Sequence, residues 1–593
     1  MQLYFVDWLS IVGYAVVAFG GGIYDSPRAS RHTDEFFVAG RNLSWWLAGT
    51  SMVATTFAAD TPLAVSGLVR RAGIYENWLW WSGVMGGMLT VYFYARLWRR
   101  AGVVTDVEFV ELRYWGPSAS ALRGFYAVFH GVVANCIIMG WVILAMTKIC
   151  DVLLGWPKAT SVGVLVLVAL SYTVLSGFWG VVMTDLIQFA MAMTGSVTLA
   201  GVVLWQMGGP TGMVAQVSAA PGFDPRLFHF VPDWRTAGEL ALITFAVQVA
   251  VQWWAGGQGS GFLAQRLFST RDERQAALSF LWFNLAHYVL RPWPWLVVGL
   301  ASLVYFPLAA GEDPELAYPR MIAQCLPAGL RGLTVASLLA AFMSTVDTQL
   351  NWGASYLIND LYRRFLNKGA ADRHYVNAAR LAMVLLVGGG ALAAWQADNI
   401  ARVWIYLITL TAGGGFLGLL RWYWWRVNAW AEISALSSSL VAANGDTLCR
   451  GLALAGLLPE EWMPGIDWFY ASETYAIRLV FIIAVCTAVW VAVAFATAPV
   501  PGEHLDRFYR RVRPGGWWGP VAARHPEVEA DRASAGWVGW VAGVVCVYAG
   551  LFGLGLLCLG RYAAGLGCAA LALVAGRVML AQASAGPAHL APD

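Results

Sequence analysis

Apolar residues run through this chain in blocks separated by short stretches rich in Arg, Asp, Gly and Pro. Each block is about 20 residues long, enough for a helix rising about 1.5 Å per residue to cross the roughly 30 Å hydrocarbon core of a bilayer. The blocks begin near Leu3, Trp45, Tyr75, Leu122, Thr160, Val182, Gly238, Ala276, Leu333, Asn377, Ile400, Trp430, Tyr475, Trp537 and Tyr562. Backbone facing lipid has to satisfy its own hydrogen bonds, so the pattern predicts an all-α integral membrane protein with about 15 transmembrane helices.

Two blocks are interrupted. Thr50 to Gly67 carries Thr55, Thr56, Asp60, Thr61 and Pro62 inside an apolar run, and the stretch from Trp253 to Gly261 reads WWAGGQGSG. In transporters such breaks bare helix ends and carbonyl groups near the bilayer midplane. A proline kink or a glycine packing face accounts for either break taken alone. The glycine runs 388–390 and 413–415 lie within apolar spans and suit close helix packing.

From Leu333 to Tyr362, Ala341, Ser344, Thr345 and Thr348 recur at i, i+3, i+4 and i+7 and share one helix face that offers hydroxyls. A helix–helix hydrogen bond competes with ion binding as their role. Asp60, Asp185 and Asp347 also lie at membrane depth, where a carboxylate costs roughly 2.5–3.5 kcal/mol unless paired, protonated or ion-bound. Neither Asp185 nor Asp347 has an obvious basic partner, so a cation shared between them is one way to neutralise both. Permanent protonation and a helix cap are the others. Arg291, in YVLRPWPWL, is expected to snorkel to an interface.

Composition agrees with a membrane location. The 593 residues are 59% hydrophobic and 12% charged, with a mean hydropathy of +0.59. The net charge of +3 gathers at segment ends and gives no nucleic-acid-binding stripe. Arg28, Arg31 and Arg41, then Arg96, Arg99 and Arg100, then Arg266, Arg271 and Arg274, then Arg363, Arg364 and Lys368, and finally Arg421 and Arg426 fall in alternate loops. The positive-inside rule then places the N-terminus outside and the C-terminus in the cytoplasm, in a plasma (inner) membrane. The first block lacks a basic n-region and a cleavage site and reads as a retained helix. The eight cysteines occur singly, as packing thiols, and most of the 32 tryptophans are expected in interfacial belts. No GxSxG, HExxH or Walker A pattern is present, and His130 and His287 lack partners at ligand spacing.

Several segments resemble the sodium:solute symporter family, whose members carry sugars, proline or sialic acid. They are DEFFVAGRNLSWW, SMVATTFAADTPLAVSG, SGFWGVVMTDLIQ, QRLFSTRDERQA, LRPWPW and, above all, AAFMSTVDTQLNWGASYLINDLY. The resemblance implies the leucine-transporter architecture: an extra helix and cytoplasmic loop over 1–43, inverted five-helix repeats over 44–207 and 238–427, and an extracellular loop over 208–237. Additional helices with a cytoplasmic linker at 502–536 fill 428–593.

It further implies a sodium held by the carbonyls of Ala54, Phe57 and Ala341 with the side chains of Ser344 and Thr345, an all-oxygen set suited to a hard cation. A second cation site is implied at Asp185, Asp347 and Thr348. Many relatives have no carboxylate at the position of Asp347, which leaves sodium, a proton or neither there. Solute contacts are implied at Asp60, Thr61, Glu76, Gln252, Trp254 and Gln258. Tyr288 falls nearest to a seventh-helix lysine of the sugar-transporting relatives. The expected activity is sodium-coupled import of a small polar solute by a monomer in the lipid bilayer through alternating access. A sugar or sugar-like solute comes first, an amino acid or carboxylate next. The competing readings are a proton-coupled transporter, a non-transporting sensor of the same fold and a membrane-embedded enzyme.

Overall fold

Helices and short helical turns are the regular structure of the computed structural model, which describes residues 3–29, 41–254, 259–307, 309, 311–531 and 536–584. Among the described residues no strand forms; two isolated bridges, Leu43 to Thr270 and Trp424 to Trp517, tie loops together. In chain order the main elements are α1 (Phe5–Ala29), α2 (Trp45–Thr56), α3 (Asp60–Ala72), α4 (Gly116–Leu154) and α5 (Lys158–Gln206). Then come α6 (Glu239–Ala250), α7 (Phe262–Phe268), α8 (Glu273–Leu285), α9 (Pro292–Tyr305) and α10 (Leu330–Leu366). The chain finishes with α11 (Asp372–Gln396), α12 (Ile400–Tyr423), α13 (Tyr475–Ala496), α14 (Gly502–Val512), α15 (Gly536–Cys558) and α16 (Tyr562–Ser584).

Eight helices among the described residues are long and apolar enough to cross a bilayer, or nine if the bent pair α2–α3 is one span. The number differs from about 15 because several predicted blocks are assembled from pieces. Trp78 to Ala101 passes through a π turn at Thr90–Tyr94, and α8 reaches α9 through another at Ala286–Leu290. The blocks starting near Thr160 and Val182 form one helical run, α5, of 49 residues. At about 1.5 Å per residue that run would exceed twice the thickness of the hydrocarbon core if straight. Its two apolar stretches, Lys158–Ser171 and Val181–Gln206, are the units that match membrane thickness.

α10 sits at the centre. Its most apolar stretch is 89% buried, against 28% for α13 and 22% for α16, which face outward. Small residues allow the close approaches: a Cβ on Gly390 would stand 2.7 Å from Met139, and one on Gly413 2.7 Å from Ser439, as expected of these glycine runs. A minority of the tryptophans pack internally: Trp81, Trp98, Trp293, Trp295, Trp422, Trp490 and Trp518 are among the largest fully buried side chains.

The start of α10 is capped from α1. The buried Asp7 carboxylate accepts the Gly329 and Gly332 N–H groups, both at 2.8 Å, where a helix has unpaired donors. This contact requires backbone proximity, because a Cβ on Gly332 would lie 2.3 Å from the Asp7 Cα and 2.5 Å from its carbonyl oxygen. Gly332→Val is therefore expected to cost about 1–3 kcal/mol and to lower the melting temperature of the detergent-solubilised protein. Gly388→Val, whose Cβ meets nothing within 4 Å, should leave it unchanged.

Candidate functional site

Local chemistry explains the first break. Pro62 lacks an N–H and its ring crowds the carbonyl four residues back, so α3 cannot extend upstream, and Asp60 suits a first helical turn. Thr55 and Thr56 donate their hydroxyls back to the Ser51, Met52 and Val53 carbonyls. Phe57 then leaves helical geometry at φ −96°, ψ 74°, and α3 departs at 59° to α2. The second break follows Ala250: residues Gln252–Trp254 form a 3₁₀ turn, Gly259 and Gly261 have φ of +61° and +70°, and helix resumes at Phe262. Gln258 lies outside the described residues.

Asp185, fully buried, stands between these breaks. Ser51 and Ser344 each donate to its carboxylate at 2.5 Å, and the Arg266 guanidinium lies 3.6 Å away, also fully buried. Arg266 donates further to Ser51 (3.1 Å), Thr55 (3.3 Å) and Thr348 (2.8 Å). This corrects two expectations. Arg266 is no loop cation; it closes a network of α2, α5, α7 and α10. Asp185 accordingly has a basic partner, because one turn of α7 carries the arginine into the bundle.

The remaining ion-site residues gather beside this network. The Thr345 hydroxyl donates to the Thr55 carbonyl (2.8 Å) and the Ala341 carbonyl (3.2 Å), bridging α10 to the end of α2. The Ala54 carbonyl accepts the Phe57 N–H at 3.0 Å, and Phe57 is buried at the turn. Thr348 and Thr55 share a 3.0 Å hydroxyl contact. Asp347 accepts from Thr173 through one oxygen, and its other oxygen has no partner among the described residues.

The predicted solute residues separate into two groups. Asp60 is buried at the first break, with one oxygen unpartnered among the described residues and Arg291 as the opposing charge. Arg291 does not snorkel: it is 2% exposed and donates to the Thr56 hydroxyl (3.2 Å), the Val53 carbonyl (3.4 Å) and His287 (3.1 Å). His287 also meets Thr56 at 2.9 Å, and its ring stands edge to face with both Tyr288 (4.4 Å) and Trp80 (5.7 Å), which stack on one another at 5.8 Å. Burying a guanidinium is tolerated here because the broken end of α2 offers it acceptors and Phe57 and Trp295 offer ring faces. Thr61 sits with Asp60 in the first turn of α3.

The second group lies before and at the start of the second break. Glu76 pairs with Arg71 at 2.9 Å and lines a cavity of about 370 Å³ with Gln248, Ile405 and Tyr475. Gln252 donates to the Leu79 carbonyl at 2.5 Å and accepts from Tyr475 at 3.4 Å, while Trp254 packs on Phe416. A further cavity, of about 230 Å³, follows the break and is lined by Asp106, His130, Ser260, Trp352 and Arg421. Asp106 accepts the Gly261 N–H at 2.8 Å and the Tyr356 hydroxyl, fastening the start of α7 to α10. Arg421, expected in a loop, is buried 3.6 Å from Glu432. Sequence reading did not single out Ser51, Thr56, Asp106, Arg266 or His287 as site residues. For Arg266, its position directly after a break was the available signal.

Comparison with known proteins gives these positions a context. A family model described as "Sodium:solute symporter family" matches residues 36–441, more than half of the chain. The sodium/glucose cotransporter of Vibrio parahaemolyticus is 25% identical over 467 residues, covering 74% of this chain and 84% of its own. A sodium/mannose cotransporter of Bos taurus is 27% identical over 446 residues, covering 69% and 73%. The solved structure of a Na⁺-coupled sialic acid symporter, in a substrate-bound outward-open state, superposes with a TM-score of 0.66 at 20% identity, covering 84% of this chain and 99% of that one. The fold is thus that of a membrane transporter, and the chain belongs to the sodium:solute symporter family.

Proposed function

We propose that the protein imports a small polar organic solute together with sodium, by alternating access, as a monomer in a plasma membrane with its N-terminus outside and C-terminus in the cytoplasm. On this reading residues 44–207 and 238–427 are inverted repeats, with loop 208–237 between them and a cytoplasmic linker at 502–536 among about 15 spans. The single observation that carries the reading is the meeting of the α10 hydroxyls with the broken end of α2. Ser344 and Thr345, with the carbonyls of Ala54, Phe57 and Ala341, supply hard oxygen ligands there.

The solute is placed against Asp60, Thr61 and Arg291, with Trp80 and Tyr288 beside them and Glu76, Gln252, Trp254 and Gln258 along its route. A hydroxyl can donate to a carboxylate and accept from a guanidinium, and an aromatic face suits the apolar face of a ring, so a sugar-like solute fits best. Arg266 already brings a fixed positive charge to Asp185 and Thr348, which favours one coupling sodium. A second reading adds a cation or proton at Asp347 with Asp185 and Thr348; the unpartnered Asp347 oxygen favours it.

The test is uptake of labelled sugars, amino acids and carboxylates into proteoliposomes under an inward sodium gradient, a potassium gradient or a proton gradient. Accumulation under sodium alone is expected; identical uptake under all three would refute sodium coupling. Replacing Ser344 and Thr345 together by alanine should raise half-saturating sodium about thirtyfold, at about 1 kcal/mol per hydroxyl and 1.4 kcal/mol per tenfold. Reversal potentials decide between the readings: Asp347→Asn should leave the charge moved per solute unchanged for one sodium, and lower it if Asp347 carries a second cation.

A further inference from the structure

Beyond the transport path, a cavity of about 540 Å³ opens at the end of the bundle where α4 begins and α10 finishes. Its walls come from residues 111–120, from Arg364 near the end of α10, and from α14. α14 is strongly two-sided. Leu505, Phe508, Tyr509 and Val512 are buried against the bundle, while His504, Arg507 and Arg511, at i, i+3 and i+7, share the face that lines the cavity.

The charges in this cavity do not balance. Its one lining carboxylate, Glu111, accepts from Arg364 (3.0 Å), Arg123 (2.7 Å) and Ser120 (2.7 Å). Burial works against ionising Glu111, but the hydrogen bonds from Arg364, Ser120 and Arg123 outweigh it and bring its pKa down to about 2. Its negative charge is therefore present and already engaged. Arg507 and Arg511, both exposed, have no carboxylate within ion-pair distance among the described residues, and the Arg507 guanidinium reaches only His504, at 3.5 Å. Two positive charges without a carboxylate partner thus line the cavity, that of Arg511 beside Gly102.

The rim is apolar. Trp115 is 57% exposed, Phe365 43% and Leu366 73%, and Phe365 lies over Gly124 on the flank of α4. Trp115 directly precedes α4, and Phe365 and Leu366 close α10, so exposed apolar side chains stand where two long apolar helices end. We propose that the cavity binds the phosphate headgroup of an anionic phospholipid, gripped by Arg507 and Arg511 with Arg364 behind them, its acyl chains running past Trp115 and Phe365. Guanidinium forks match phosphate oxygens, and basic pockets at helix ends recognise such headgroups. A soluble phosphate would use the arginines but leave the apolar rim without purpose. The occupant would hold α14 against the end of α10, the helix that carries Ser344 and Thr345.

Native mass spectrometry of the full-length protein in neutral detergent tests this, with phosphatidylglycerol, phosphatidylcholine and inorganic phosphate as probes. Phosphatidylglycerol should bind more tightly than phosphatidylcholine. Arg507→Gln with Arg511→Gln should weaken phosphatidylglycerol binding about thirtyfold, or about fivefold for either change alone, at about 1 kcal/mol per arginine and 1.4 kcal/mol per tenfold. Arg507→Lys with Arg511→Lys should restore most of the binding, and Arg450→Gln, in a separate exposed pair with Asp467, should change nothing. If the double glutamine variant elutes abnormally, the two single variants decide. Equal binding of both lipids would overturn the proposal, as would displacement of the lipid by equimolar inorganic phosphate, or unchanged phosphatidylglycerol binding in correctly eluting glutamine variants.

Discussion

Burying a carboxylate and a guanidinium side by side at the centre of a membrane protein constrains everything around them. Asp185 and Arg266, 3.6 Å apart and without solvent exposure, each cost several kcal/mol to desolvate, and neither is tolerable without the other and a shell of hydroxyls. That shell comes from Ser51 and Thr55 on α2 and from Ser344 and Thr348 on α10. Four helices are thereby held in one register, two of them beside the breaks. On the proposed function, an ion arriving at the end of α2 would meet groups already committed to this network, and its binding would be felt at both breaks.

The cavities on the two sides of the second break are what such coupling would act on. The one bounded by Glu76, Gln248 and Tyr475 precedes the break, and the one bounded by Asp106, Trp352 and Arg421 follows it. Between them Gln252 is tied to Leu79 and Tyr475, and Asp106 ties the start of α7 to α10. Unwound backbone persists at this depth because side chains satisfy it, Asp106 at Gly261 and Thr345 at Thr55.

Much of this was legible in the sequence, and what was not has a common physical cause. The hydroxyl face of α10 follows from helical spacing, and the first break from Pro62 and Asp60, because both are local properties of the backbone. The buried arginines were misread. Near a helix end, Arg266 and Arg421 look the same as cytoplasmic anchors, and Arg291 looks the same as a snorkelling residue. Only tertiary placement brings Asp185 to Arg266, Glu432 to Arg421 and His287 with Thr56 to Arg291. Span boundaries were blurred similarly: π turns interrupt apolar blocks without a composition signal, and α5 continues helically across an expected boundary.

Coupling between ion and solute through the shared breaks is the centre of this account, and equilibrium binding measures it without transport. Labelled sodium would be titrated onto purified protein with and without a saturating amount of the solute identified by uptake. Reciprocity requires each ligand to change the affinity of the other by the same factor. The account predicts saturable sodium binding that solute tightens by the factor with which sodium tightens solute. Sodium affinity unchanged by saturating solute would contradict it.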